Sequence, residues 1–122
     1  MVWPEDLIGI LLATILGAGI GLERELSHKA AGLRTNLLIC LGAAVFSILS
    51  REMASGTEDS ATRIAAQIVT GVGFLGAGAI IQDRGGVHGL TTAATIWLVA
   101  SIGMACGARF YQLAIISTLI AI

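Results

Sequence analysis

Charged residues are scarce in this 122-residue chain, and their scarcity excludes most water-soluble folds. Only 12% of the residues are Asp, Glu, Lys or Arg, whereas soluble domains carry about a quarter. Hydrophobic residues make up 56% of the chain, and the mean hydropathy is +0.89. The formal net charge of -1 provides no basic field that would attract nucleic acid. We therefore expect an integral membrane protein that does not bind nucleic acid.

The sequence also lacks the spacing of a disulfide framework and the basic segment of a secretory signal peptide. Cys40 and Cys106 each lie inside an apolar run without a C-x-x-C spacing, which indicates small hydrophobic residues and not a disulfide framework. The first six residues lack the basic segment of a secretory signal peptide. The first apolar run is therefore predicted to be a permanent membrane span.

Four continuous apolar runs cover residues 7–22, 33–50, 64–81 and 91–108. Each holds about 16 to 18 residues, near the lower limit for crossing the hydrocarbon core. A fifth run, residues 110–122, is short for a span, and we expect it to be truncated. The prediction is a single all-α domain over residues 1–122, a polytopic bundle with four full transmembrane helices and a truncated fifth.

Basic residues predict the orientation of this bundle. Arg24, Lys29 and Arg34 lie between the first two predicted spans, and none precedes the first. Because short cytoplasmic loops carry an excess of Lys and Arg, the N-terminus is predicted outside and the first loop in the cytoplasm.

Small residues recur at helical spacing along the spans. Lipid does not drive helices together, so helices associate where small side chains let their backbones approach. A stripe on the third span comprises Ala66, Thr70, Gly73 and Ala77. The predicted helix-packing glycines are Gly9, Gly17, Gly21, Gly73, Gly103 and Gly107. These contacts are expected within one subunit, with homodimerisation as the alternative.

The two halves of the chain share a pattern. A Gly-Ala-Gly helix segment at residues 17–19 leads to Gly-Leu-Arg-Thr at 32–35, and the segment at 76–78 leads to Gly-Leu-Thr-Thr at 89–92. The repeated hairpins run in the same direction, so their polar loops are expected to meet on one side of the membrane. Those loops form either a shared polar site or solvated surfaces whose ion pairs contribute little.

Other chemistry has little support. The G-x-G-x-x-G match at residues 71–76 lies inside a predicted span, so dinucleotide binding is rejected. The carboxylates of Glu23, Glu25 and Asp83 could hold a magnesium ion only loosely, and the spacing of zinc ligands is missing. No nucleophile is accompanied by an orienting acid, so we predict neither catalysis nor a cofactor.

Several motifs taken together resemble the membrane domain of the MgtC/SapB family over nearly the whole chain. They are Gly21-Leu22-Glu23-Arg24-Glu25, Ala31-Gly32-Leu33-Arg34-Thr35, Gly73-Phe74-Leu75-Gly76-Ala77-Gly78, Val87-His88-Gly89-Leu90-Thr91-Thr92-Ala93-Ala94 and Ile96-Trp97. The candidate functional positions that this resemblance implies are Glu23, Arg24, Glu25, Arg34, Thr35, Asp83, Thr91, Thr92 and Trp97.

The resemblance also implies a biological setting. It indicates a multi-pass protein of the bacterial inner membrane, with its N-terminus outside and a soluble cytoplasmic domain that this chain lacks. Family members are linked to growth in low magnesium and to survival inside host cells, and the best-studied ones resemble regulators that act on ATP synthase. The leading hypothesis is therefore a regulator that binds a membrane partner. The alternative is a transporter or channel for Mg²⁺ or another small solute.

Overall fold

The computed structural model describes residues 3–54, 58–83 and 85–122, and its architecture confirms the all-α prediction. The helices are α1 (Pro4–Leu26), α2 (Leu33–Glu52), α3 (Glu58–Ala79), α4 (Leu90–Gly107) and α5 (Tyr111–Ala121). Three of these helices, α1, α2 and α4, are long and apolar enough to cross a membrane. The helices of the described residues therefore have membrane character, while the exact number of spans stays a prediction.

The connection between α3 and α4, predicted to be a polar loop, contains a short β-hairpin. Strand β1 (Ile81–Asp83) pairs antiparallel with β2 (Gly86–His88). Gly86 and Gly89 adopt φ values of +112° and +92°, which glycine tolerates because it has no Cβ. Placing Ile81 at the end of the third span was therefore wrong, since α3 ends at Ala79.

Glycines occupy the places where the helices approach most closely. A Cβ on Gly17 would lie 2.6 Å from the Cβ of Cys40, and one on Gly21 would lie 2.7 Å from the Cα of Leu33. A Cβ added to any of three further glycines would likewise collide with a backbone carbonyl oxygen of a neighbouring helix. These glycines are Gly9, Gly103 and Gly107. These five glycines let α1, α2 and α4 pack backbone to backbone.

Gly73 lies in a different environment. A Cβ built on it would meet no atom within 4 Å, and Ala66, Thr70 and Ala77 are exposed as well. The helix turns Ile68 and Val72 inward instead, because residues four apart share one face and residue 73 falls on another. The prediction that Gly73 packs against another helix is therefore wrong among the described residues of this chain. Its role in a homodimer stays a prediction.

The core joins α1, α2, α4 and α5 through small side chains. Fully buried members of this cluster include Ala13, Cys40, Ala44, Val99 and Cys106. Both cysteines are free thiols inside this core, which confirms that they act as small apolar residues.

The bundle has two ends. The loop end carries residues 27–32, 80–83 and 85–89, and the opposite end carries the start of α1, the ends of α2 and α4, and the start of α5.

Candidate functional site at the loop end of the bundle

Arg24 is the central residue of the loop end. It lies in the last turn of α1 and is only 6% exposed. One guanidinium nitrogen, Nη2, donates to the carbonyl oxygen of Ala30 at 2.9 Å and also to the hydroxyl of Thr92 on α4. Thr92 is itself buried. This charged side chain therefore ties the first helical hairpin to the second.

Asn36 stabilises the loop between α1 and α2 from the interior of the bundle. Its side chain is fully buried, and Nδ2 donates to the carbonyl oxygens of Ala31 at 2.6 Å and Gly32 at 2.9 Å. The loop needs such support because His28 and Ala31 adopt φ values of 56° and 54°, a left-handed conformation that is unfavourable without glycine. Sequence reasoning did not identify Asn36, although an amide so near the start of a predicted span was a usable signal.

The predicted polar cluster is assembled only in part. The structure brings Arg24 and Thr92 together in the interior. The remaining candidates with described side chains are all exposed: Glu23, Glu25, Arg34, Thr35, Thr91 and Trp97. The backbone of Asp83 belongs to β1, and its side chain lies outside the described part of the structure. Among the candidates with described side chains, one pair therefore meets in the interior, between α1 and α4, and the others are exposed.

A metal site at this end stays a prediction. Among the side chains that the structure describes, no group of three or more His, Cys, Asp or Glu residues could hold an ion. Glu23 and Glu25 are exposed, and a hydrogen bond of 3.4 Å joins Glu23 to the hydroxyl of Ser27.

Thr92 provides a direct test of the contact between the hairpins. Replacing it by Val keeps the shape of the side chain but removes one of the two acceptors of the buried guanidinium. We expect Thr92→Val to lower the free energy of unfolding by about 2 kcal/mol, as measured for hydrogen bonds to charged groups. The measurement is thermal unfolding in detergent. The control is Thr91→Val at the adjacent exposed position, and equal stability of the two variants would contradict the prediction.

A second charged cluster lies at the opposite end and was missed by sequence reasoning. Asp6 is 1% exposed and pairs with Arg51 of α2 and with Arg109 in the α4–α5 connection. Nε and Nη2 of Arg109 both donate to the Asp6 carboxylate at 3.3 Å. This hydrogen bonding raises the pKa of Arg109, so its charge persists. Nη1 of Arg51 also donates to the Gly107 carbonyl at 2.8 Å. One carboxylate therefore links α1, α2 and the α4–α5 connection.

Comparison with known proteins places these features in a family. Residues 10–122 match the MgtC family. The chain is 50% identical over 106 residues to Protein MgtC of Brucella abortus, covering 87% of this chain and 44% of that protein. It is also 50% identical over 114 residues to Protein MgtC of Salmonella typhimurium, covering 93% and 48%. An uncharacterised protein of Synechocystis sp. is 42% identical over 119 residues, covering 98% and 50%.

No solved structure matches the chain. The chain spans about half the length of these curated relatives. Because the family match covers all but the first nine residues and the identities reach 50%, the chain belongs to the MgtC family.

Proposed function

We propose that this chain is the membrane-embedded part of a regulator in the bacterial inner membrane, with its N-terminus outside. It would act by binding another membrane protein. The family resemblance indicates ATP synthase as the partner and adaptation to low magnesium and to life inside a host as the setting. Each of these points is a proposal for this chain.

The observation that carries the proposal is that much of the described surface of α3 is exposed. This helix packs on its neighbours through Ile68, Val72 and Gly76. Most of its other described residues are exposed, and a Cβ added to Gly71 or Gly78 would meet no atom within 4 Å. Since transmembrane helices associate through such small residues, α3 offers a surface for a second membrane protein.

The loop end favours a scaffold over a solute site. Nη2 of Arg24 donates to Ala30 and Thr92 inside the chain, and its Nε is buried without a partner among the described residues, so the guanidinium is enclosed. A transport site would need polar groups available to a solute near the middle of the membrane. The carboxylates of Glu23 and Glu25 lie beyond the last apolar turn of α1 and are exposed. The loop end therefore gives more support to partner binding than to transport.

The test is recovery of ATP synthase with the chain. The tagged chain, expressed at native level and extracted in mild detergent, should co-purify with ATP synthase, and its expression should change ATP synthesis in membrane vesicles. A tagged membrane protein of unrelated sequence is the control. Recovery no greater than with the control would refute the proposal. In that case, Mg²⁺ flux into proteoliposomes containing the chain would favour the transporter.

A further inference from the structure

An open groove of about 470 Å³ runs between α2 and α3. Its walls include Leu38, Gly42 and Phe46 from α2 and Ile64, Gln67 and Gly71 from α3. A Cβ added to Gly42 or Gly71 would meet no atom within 4 Å. The backbone is therefore accessible on both walls, and another helix could approach each of them closely.

Among the described side chains that line this groove, Gln67 is the one polar residue. It lies near the middle of α3 (Glu58–Ala79) and is exposed. No hydrogen bond joins its amide to any other residue that the structure describes. Residues 64–81 are the predicted third span, which places Gln67 in hydrocarbon. An amide there without a hydrogen bond is unfavourable, so the occupant of the groove should provide a donor or an acceptor.

Lipid chains cannot meet this requirement, because they have no hydrogen-bonding group. A transmembrane helix can meet it, since Ser, Thr, Asn and Gln side chains hydrogen-bond between helices in a membrane. We propose that the α2–α3 groove binds one transmembrane helix of a partner protein, and that this helix presents a hydrogen-bonding side chain to Gln67. The inference rests on the proposed function, to which it adds the place of binding and the chemistry of the partner.

A peptide probe tests the inference without knowledge of the natural partner. The full chain is reconstituted in phosphatidylcholine vesicles with a labelled transmembrane peptide of Leu, Ala and Gly that carries one central Asn. A matched peptide carries Leu in place of Asn. Energy transfer should show that the Asn peptide binds about fivefold more tightly, in line with interhelical hydrogen bonds. Gln67→Leu should abolish the difference between the peptides.

A matched pair of variants tests the place of binding. Gly71→Leu fills the groove and should abolish binding of both peptides. Gly73→Leu makes the same change two residues away, outside the groove lining, and should bind as the wild type does. Circular dichroism checks that both variants fold, which we expect because both positions face open space.

Three results would overturn the inference. Equal binding of the two peptides by the wild type would mean that Gln67 selects no polar helix and that lipid occupies the groove. Binding lost in Gly73→Leu but kept in Gly71→Leu would move the interface to the other side of α3. Energy transfer between two labelled copies of the chain, lost in Gly71→Leu, would assign the groove to a second copy. If the peptide results hold but the wild type recovers no ATP synthase, the functional proposal fails and the groove assignment stands.

Discussion

Gly17→Leu is expected to prevent the close packing of α1 on α2. Even a single Cβ at this position would lie 2.6 Å from the Cβ of Cys40 and 2.9 Å from the carbonyl oxygen of Asn36. A leucine side chain therefore has to force the two helices apart. We expect a loss of at least about 3 kcal/mol, the upper end of the usual cost of overpacking, seen as a large fall in the unfolding temperature in detergent.

Gly73→Leu is the matched control for this prediction, because it introduces the same side chain into open space. It should unfold close to the wild-type temperature, since leucine also has the better helix propensity. If Gly17→Leu were as stable as Gly73→Leu, the close approach of α1 and α2 would be contradicted. A change in self-association in Gly73→Leu alone would instead support the predicted homodimer.

Asp6→Ala is expected to have the second large effect. It removes the buried acceptor shared by Arg51 and Arg109, so α2 and the α4–α5 connection lose their common partner on α1. Breaking a buried ion pair from one side costs about 3 to 5 kcal/mol. The guanidinium of Arg51 is partly exposed and can regain water, so we expect a loss of about 3 kcal/mol or less.

The control for this prediction is Glu5→Ala, which removes the neighbouring exposed carboxylate. The backbone carbonyl of Glu5, which accepts a hydrogen bond from Tyr111, is retained in this variant. Unfolding temperatures in detergent measure both effects. If the two variants proved equally stable, water would replace the Asp6 contacts at no net cost.

Local features of the sequence explain what could be predicted. Long apolar runs indicate membrane helices because each residue is transferred into hydrocarbon largely independently of the fold. Three of the predicted spans correspond to α1, α2 and α4. The ends of the helices were predicted less accurately than their positions. Helix α1 continues past the predicted end at residue 22 to Leu26. Polar residues end an apolar run, but they can still continue the helix.

The candidate site was only partly predictable, because contacts between distant residues depend on how the helices pack. The predicted repeat led us to expect a shared end for the two hairpins. The hydrogen bond from Arg24 to Thr92 joins residues 68 positions apart. Sequence spacing alone does not distinguish buried Thr92 from exposed Thr91. The rotation of α4 about its axis makes that distinction, and neighbouring helices determine the rotation.

The sequence by itself determined the membrane character, the helical class and the family, since hydropathy and short motifs are local properties. Only the tertiary structure decided which charges meet and which glycines pack. Asp6, Arg51 and Arg109 lie far apart in the chain, and they meet because successive helices cross the bundle in opposite directions. Gly17 and Gly73 look alike in sequence, but one faces α2 and the other faces open space. The difference arises because each helix turns the face that packs best towards its neighbours.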